Sequence, residues 1–188
     1  TIEPNTKFFY DKPTGLPTSD EQNFIHEDSL SLLEKVGYER YEISAFAKKD
    51  FECKHNLNYW RYGDYIAVGA GAHGKYRLTG DDIIRYQKSS NPTVYMKNII
   101  SNKSSYKEKL LSNSDKIFEY MLNNLRLMSG FSIVHFESAT GLKYGTIEKK
   151  LSELNNLNLM KYHPSGYWKP TALGFKFLDN LQCEFLKV

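Results

Sequence analysis

The fold of the second half of this 188-residue chain is indicated most clearly by one stretch, Ile117-Phe118-Glu119-Tyr120-Met121-Leu122-Asn123-Asn124-Leu125-Arg126-Leu127-Met128. Apolar side chains recur in it every three or four residues, which is the spacing of one face of an α-helix. Gly130 follows, and glycine commonly ends helices. The stretch therefore predicts an amphipathic helix that packs its apolar face against a core.

The segments downstream of this helix predict further helices and a hairpin. A short helix is expected over 132–139, and a second apolar stripe predicts a helix through 147–157. The turn residues 163–166 lie between aromatic residues and predict a hairpin. Thr171 is placed to cap a final helix. Because a winged-helix domain has this order of elements, residues 106–188 predict a mainly helical, winged-helix-like domain.

The first part of the chain alternates helix and strand signals, which is typical of an α/β fold. A helix is predicted over 20–36, a strand over 41–45 and a hairpin or strand over 76–86. The short apolar run 65–68 predicts a buried parallel strand that ends in glycines. The polar stretch 102–105 is the best candidate for a linker between two domains.

Composition and charge describe an ordinary globular protein, with 40% hydrophobic and 25% charged residues. The net charge of +3 is too weak to predict nucleic-acid binding. No apolar run reaches the roughly 18 residues that a membrane span needs. Cys53 and Cys183 form no CxxC pair, so the chain alone offers no zinc or iron–sulfur ligand set. We therefore expect a reduced, cytoplasmic protein.

Two short segments concentrate side chains that can carry chemistry. They are His55-Asn56-Leu57-Asn58-Tyr59-Trp60, in a predicted loop over 47–60, and Gly69-Ala70-Gly71-Ala72-His73-Gly74. Buried polar groups must be hydrogen-bonded, so a core rarely takes two Asn beside a His. A loop that holds a large flat ligand does use such residues. The alternative is a loop that only packs on its own fold, and residue types alone favour that alternative.

Five motifs occur here in the order in which a known family carries them, and together they cover nearly the whole chain. They are Glu3-Pro4-Asn5-Thr6, Tyr41-Glu42-Ile43-Ser44, Cys53-Lys54-His55-Asn56, Tyr59-Trp60 and Gly69-Ala70-Gly71-Ala72-His73. The chain resembles the C-terminal half of the oxygen-independent coproporphyrinogen III oxidase-like radical-SAM proteins. Residues 119–127 resemble the start of that family's C-terminal domain. The resemblance implies that residues 1–105 are the C-terminal portion of a partial (β/α) barrel, and that the chain begins inside a larger fold.

Two classes within this family differ in function. One class oxidatively decarboxylates coproporphyrinogen III in porphyrin biosynthesis, and the other, the HemW-type haem chaperones, binds haem and passes it to client proteins. The pattern His-Asn-x-x-Tyr-Trp marks the chaperone class. The resemblance therefore implies haem binding by His55, Asn56, Tyr59 and Trp60, with His55 as a ligand of the haem iron or its neighbour. The oxidase remains the alternative function.

The resemblance also implies S-adenosylmethionine and a 4Fe–4S cluster in the full-length protein. Glu3 and the segment Ala70, Gly71, Ala72 and His73 are then expected to line the S-adenosylmethionine pocket. The alternative for the glycine-rich segment is a tight turn that needs small residues. No CxxxCxxC loop occurs in this sequence, so the cluster ligands are expected upstream, and no catalytic residue is assigned to the chain.

The expected partners are haem, the upstream barrel of the same protein and haem-accepting client proteins. Nucleic acid is not among them. The candidate recognition helix, about 144–156, carries Lys149 and Lys150 but also Glu148 and Glu153. Those two carboxylates would repel phosphate groups, whose neutralisation determines the strength of nucleic-acid binding.

Overall fold

A computed structural model describes residues 2–78, 80–103 and 106–186. Its contacts divide the chain into two units, residues 1–39 and residues 40–188. The helices are α1 (Lys7–Tyr10), α2 (Ser19–Lys35), α3 (Lys54–Trp60), α4 (Pro92–Ile100), α5 (Asn113–Asn124), α6 (Ile133–Thr140), α7 (Gly145–Asn156), α8 (Ala172–Lys176) and α9 (Leu178–Cys183). The strands are β1 (Glu39–Glu42), β2 (Ala45–Ala47), β3 (His73–Arg77), β4 (Ile83–Lys88), β5 (Tyr106–Leu110), β6 (Phe131–Ser132), β7 (Met160–His163) and β8 (Tyr167–Pro170). The predicted mixture of helices and strands is confirmed.

The first unit is built on α2, whose ends follow the local chemistry of its sequence. The Thr18 side chain accepts a hydrogen bond from the Glu21 amide at 3.3 Å, and the Glu21 carboxylate accepts one from the Thr18 amide at 2.7 Å. This reciprocal pair is a capping box, and it satisfies two amides that the first turn leaves free. Gly37, with φ of +80°, follows the helix. The helix predicted over 20–36 is therefore confirmed to within one residue.

Antiparallel strands form two three-stranded sheets in the second unit. One has the order β3–β4–β5 and the other the order β6–β8–β7. In the first sheet Lys75 lies opposite Arg85, which in turn lies opposite Lys109. Residues 65 and 75 also form an antiparallel bridge, so Tyr65 extends this cross-strand row at the β3 edge.

The core of the second unit is centred on α5. Tyr120 of this helix is fully buried, and its ring meets Tyr62, Phe131 and Phe136 edge-on, at centroid distances of 5.8, 5.5 and 5.2 Å. Aromatic pairs favour this geometry because the positive ring edge faces the negative ring face. The amphipathic helix predicted around residues 117–128 is confirmed, although it ends at Asn124.

The elements predicted downstream of α5 are confirmed as well. The short helix α6 ends at Gly141, which has φ of +73°. The helix α7 buries Ile147, Leu151 and Leu154 of the predicted apolar stripe, whereas Leu157 follows the helix and is exposed. The hairpin of β7 and β8 forms around residues 164–166, and Thr171 accepts a hydrogen bond from the Gly174 amide at 3.0 Å. The final helix differs from the prediction only in that it divides at Phe177 into α8 and α9.

Three local predictions between residues 41 and 68 are wrong. The strand expected over 41–45 is a hairpin of β1 and β2, because the Glu42 carboxylate bonds the Ser44 amide at 2.9 Å and turns the chain. The loop expected over 47–60 contains the helix α3. The apolar run 65–68 is not a buried strand, since Ile66 and Val68 are 86% and 84% exposed. The backbone amide of Ala67, which lies between them, donates a hydrogen bond to the Tyr86 hydroxyl and not to a carbonyl of a neighbouring strand.

The structure does not separate the chain at the predicted linker. Ser104 and Ser105 lie outside the described residues, and β5, which follows them, pairs along its length with β4. Ile83 and Leu111, from the two sides of the linker, belong to the same core. A polar stretch can therefore be a surface turn within one unit as readily as a domain boundary. The assignment of 1–105 and 106–188 to two domains stays a prediction.

None of the helices in the described ranges combines the length and the apolarity that crossing a bilayer would require.

The turn after α5 generates a prediction about stability. Gly130 has φ of +69°, and a Cβ added there would collide with the Trp168 carbonyl oxygen. Gly130→Ala is expected to lower the free energy of unfolding by about 3 kcal/mol, measured by urea denaturation. Gly145→Ala is the matched control, since its Cβ would meet open space and should change stability by less than about 1 kcal/mol. Equal effects of the two substitutions would contradict this account.

Candidate functional site

The residues of the His-Asn-x-x-Tyr-Trp motif lie on the short helix α3. The Leu57 amide bonds the Cys53 carbonyl and the Arg61 amide bonds the Leu57 carbonyl, each at 2.9 Å. Residues four apart share a face of a helix, so His55 lies above Tyr59, and Asn56 lies above Trp60. The four predicted haem-binding residues are therefore brought together on one helix but divided between two faces.

The face with His55 and Tyr59 forms an aromatic surface together with Tyr65. The His55 ring meets the Tyr59 ring edge-on, with centroids 4.9 Å apart and an interplanar angle of 83°. The Tyr59 ring in turn lies 4.6 Å from the Tyr65 ring. His55 is exposed, and within the described part of the chain its imidazole makes no hydrogen bond. An imidazole in this state has a free nitrogen lone pair with which it can bind a metal ion.

The face with Asn56 and Trp60 makes internal contacts. The Asn56 amide nitrogen lies 3.5 Å from the Tyr41 hydroxyl, and the Trp60 ring packs under the Arg126 guanidinium at 4.3 Å. The Trp60 indole nitrogen is buried and has no partner among the described residues. Asn56 and Trp60 thus hold α3 in place, while His55 is exposed and Tyr59 is half-buried.

Beneath Trp60 lies a buried carboxylate with a full set of partners. Glu42 is only 1% exposed, and its side chain accepts hydrogen bonds from Arg126 at 3.1 Å and from the Ser44 hydroxyl at 2.6 Å. A buried carboxylate is tolerated when it is paired and hydrogen-bonded. Glu42 and Arg126 belong to two separate motifs of the sequence, and neither motif predicts that they form an ion pair.

A second ion pair fixes Tyr65. The Arg85 Nε lies 3.0 Å from both carboxylate oxygens of Glu119, and its Nη2 lies 2.9 Å from one of them. The Arg85 Nη1 donates a hydrogen bond to the Tyr65 hydroxyl. The sequence analysis missed Tyr65 and Arg85, because their roles depend on the register of strands and not on a local pattern.

A buried lysine lies beside this pair in the same cross-strand row. Lys75 is 1% exposed, donates a hydrogen bond to the Tyr62 carbonyl at 2.6 Å and places its ammonium 3.5 Å from the centre of the Tyr62 ring. Burial lowers the pKa of Lys75 from 10.5 to about 8, although Asp64, at 3.7 Å, opposes this shift. The ammonium is thus charged at neutral pH and helps to hold Tyr62 in the core.

The segment expected to line an S-adenosylmethionine pocket forms a turn that is bonded to neighbouring elements. The Gly71 amide donates to the Ser89 carbonyl and the Lys88 amide donates to the Ala72 carbonyl, each at 2.8 Å. Ala70 is exposed on this turn, and His73, also exposed, begins β3 opposite Gln87.

The remaining residue of that expected pocket, Glu3, lies in the first unit. Its side chain is exposed, and its carbonyl accepts a hydrogen bond from the Thr6 hydroxyl at 2.8 Å. The assignment of Glu3 and of residues 70–73 to a cofactor pocket stays a prediction.

The cysteines do not fit an iron–sulfur cluster. Cys53 and Cys183 are both exposed and free, and three thiolates are not available from two cysteines. Across the ranges that the structure describes, no three His, Cys, Asp or Glu side chains converge to hold a metal ion.

Comparison with known proteins confirms the resemblance that the motifs predict. The chain is 39% identical over 186 residues to "Heme chaperone HemW" of Haemophilus influenzae and 38% identical over 186 residues to "Heme chaperone HemW" of Escherichia coli. These matches cover 99% of this chain but 47% and 48% of the two relatives. The chain therefore spans about half the length of the curated relatives it matches. No family model matches the sequence.

A solved structure shares the fold. Coproporphyrinogen III oxidase (HemN) from Escherichia coli, described as a radical SAM enzyme, superimposes with a TM-score of 0.64 at 18% sequence identity. The match covers 93% of this chain and 43% of that chain. The fold of this chain is thus that of part of HemN.

The Glu42–Arg126 pair generates a stability prediction. Arg126→Met removes the partner of a buried carboxylate and should lower the free energy of unfolding by about 2 kcal/mol, measured by chemical denaturation. The double variant Glu42→Gln with Arg126→Met should recover part of this loss, because a neutral amide costs less to bury than an unpaired charge. Additive losses in the double variant would show that the pair is not coupled.

Lys75 generates a prediction about pH. Above pH 8 the unfolded chain holds the lysine proton more tightly than the folded chain, because the pKa is lower in the folded state. The free energy of unfolding should therefore rise between about pH 8 and pH 9.5, by at most about 1.4 kcal/mol per pH unit. Urea denaturation of Lys75→Met should lack this rise, while the exposed control Lys161→Met should keep it. Parallel pH profiles for all three proteins would refute the assignment.

Proposed function

We propose that this chain, which is HemW-like in sequence and HemN-like in fold, is part of a haem chaperone that binds haem and delivers it to client proteins. The observation that carries the proposal is the exposed His55 imidazole, which has no hydrogen-bond partner in the described part of the chain. It adjoins the Tyr59 ring, which in turn contacts the Tyr65 ring. A free imidazole beside flat apolar area suits a planar iron porphyrin, since imidazole is a usual axial ligand of haem iron.

In this proposal the two faces of α3 have different roles. His55 binds the haem iron as an axial ligand, and Tyr59 and Tyr65 contact the macrocycle. Asn56 and Trp60 act as positioning residues, because their contacts with Tyr41 and Arg126 fix the orientation of α3. This division refines the prediction from sequence, which gave all four motif residues to the haem.

The proposal also includes the family's domain plan. Residues 1–105 would belong to a partial (β/α) barrel and residues 106–188 to a winged-helix-like domain, in a cytoplasmic protein. The full-length protein would also bind S-adenosylmethionine, as the resemblance implies. The 4Fe–4S cluster would take its thiolates from residues outside this sequence.

The alternative function, oxidative decarboxylation of coproporphyrinogen III, has weaker support. The similarity to the oxidase HemN concerns the fold, at 18% identity, whereas the identity to haem chaperones reaches 39%. This alternative predicts that the protein converts coproporphyrinogen III and that substitution of His55 leaves haem affinity unchanged.

The test of the proposal is a haem titration of the chain and of His55→Ala, followed by the Soret band. We expect saturable binding by the wild type and a loss of affinity of roughly tenfold or more in the variant, because the axial ligand is removed. The melting temperature should not change, because His55 is exposed and surface substitutions usually alter stability by less than about 0.5 kcal/mol.

His26→Ala is the matched control, since His26 is an exposed histidine on α2 and is not part of the motif. It should bind haem like the wild type. Equal affinity of the wild type and His55→Ala would overturn the proposal. Loss of affinity together with a lower melting temperature would show that His55 has a structural role.

A further inference from the structure

We propose that an exposed cross-strand row on the β3–β4–β5 sheet, formed by His73, Gln87 and Lys107, binds the carboxylate groups of the haem whose iron is bound at His55. This inference rests on the proposed function, and it adds a binding site for the charged edge of the ligand. It also gives His73 a role that differs from the one predicted for it.

The register of the sheet places the three residues side by side. His73 lies opposite Gln87, and Gln87 lies opposite Lys107. Directly opposed residues of antiparallel strands point to the same face, and neighbouring strands lie about 4.8 Å apart. The three side chains therefore span about 10 Å on one face. They border a shallow cavity of about 210 Å³ that Arg85 also lines.

The charges on this face leave Lys107 without a partner. Three other cationic side chains on this face are each paired with a carboxylate. Lys75 lies near Asp64, and Arg85 is paired with Glu119. Lys109 is paired with Asp115 at 3.0 Å. Among the described residues, the Lys107 side chain has no hydrogen bond and no ion pair.

Glu108 also lines this cavity, although alternation along β5 places it on the opposite face of the strand from Lys107. Its carboxylate accepts a hydrogen bond from the Tyr76 hydroxyl at 2.9 Å. An ammonium, an amide and an imidazole thus remain as free donors on an open part of the sheet. Such a set recognises a carboxylate by charge-assisted hydrogen bonds.

Arg85 connects this row to the aromatic surface. It lies beside Gln87 on the same face of β4, two residues away, and it donates a hydrogen bond to the Tyr65 hydroxyl. The Tyr65 ring contacts Tyr59, which contacts His55. A series of contacts therefore runs from the His55 imidazole, over two phenol rings, to Arg85, which lines the same cavity as the row. Haem has the matching order of groups, an iron at the centre of a flat apolar ring and two carboxylates at one edge.

The experiment compares ferric haem with its dimethyl ester, in which both carboxylates are blocked. Wild-type chain should bind haem more tightly than the ester. Lys107→Glu should weaken haem binding roughly tenfold and leave ester binding unchanged, because only haem carries the charges that the reversed side chain repels. Lys107→Gln should give a smaller loss of the same kind, of roughly threefold.

Two controls keep the outcomes distinct. Lys161→Glu makes the same charge change at an exposed site on β7 and should not affect either ligand. His55→Ala should weaken both ligands equally, since both contain iron. Circular dichroism melting confirms that each variant is folded.

Two results would overturn the inference while leaving the proposed function intact. They are equal affinity of the wild type for haem and its ester, and unchanged haem affinity in Lys107→Glu. Absence of saturable binding of either ligand by the wild type would refute the proposed function, and this inference with it.

Discussion

The ion pair between Arg85 and Glu119 is the contact on which the candidate site depends. It joins β4 to α5 through three nitrogen–oxygen contacts of 2.9 to 3.0 Å, in a half-buried position. The same guanidinium holds the Tyr65 hydroxyl, and the Tyr65 ring supports Tyr59. The orientation of the aromatic surface therefore follows from an interaction between the sheet and the central helix of the core.

A second interaction supports the motif helix from its other side. A helix of seven residues is too short to be stable by its own hydrogen bonds, so its contacts must hold it. Arg126 packs on Trp60 and neutralises Glu42, which links the end of α5 to both α3 and β1. The side chains of α3 therefore have two roles: Asn56 and Trp60 fix the helix, whereas His55 is exposed on its other face. Six consecutive residues can thus carry many polar and aromatic side chains without all of these side chains being buried.

The second half of the fold could be predicted from sequence because its helices are long and carry regular apolar stripes. Positions 147, 151 and 154 are all buried, as helical spacing requires, and glycines with positive φ end the predicted segments. The segment 41–68 could not be predicted, because its structure depends on side chains distant in sequence. The amide of Ala67 bonds the hydroxyl of Tyr86, nineteen residues away, and Glu42 turns its own strand. Hydrophobic periodicity carries no information about such bonds.

The same distinction applies to the candidate site. The motif identified the segment 55–60, but the sequence predicted a loop there. The separation of His55 from Trp60 onto two faces follows only from the helical structure of the segment. Tyr65 and Arg85 follow no pattern in the sequence, and only the antiparallel register brings them into one cross-strand row, with Lys75 between them. The same register places Lys107 opposite Gln87. Under the proposed function, an open site of this kind would suit a carrier, because a carrier must release its cargo to another protein and therefore needs few contacts and an accessible ligand. Under the same proposal, the exposed position of His55 would allow the haem iron to exchange its imidazole ligand for a ligand from a second protein.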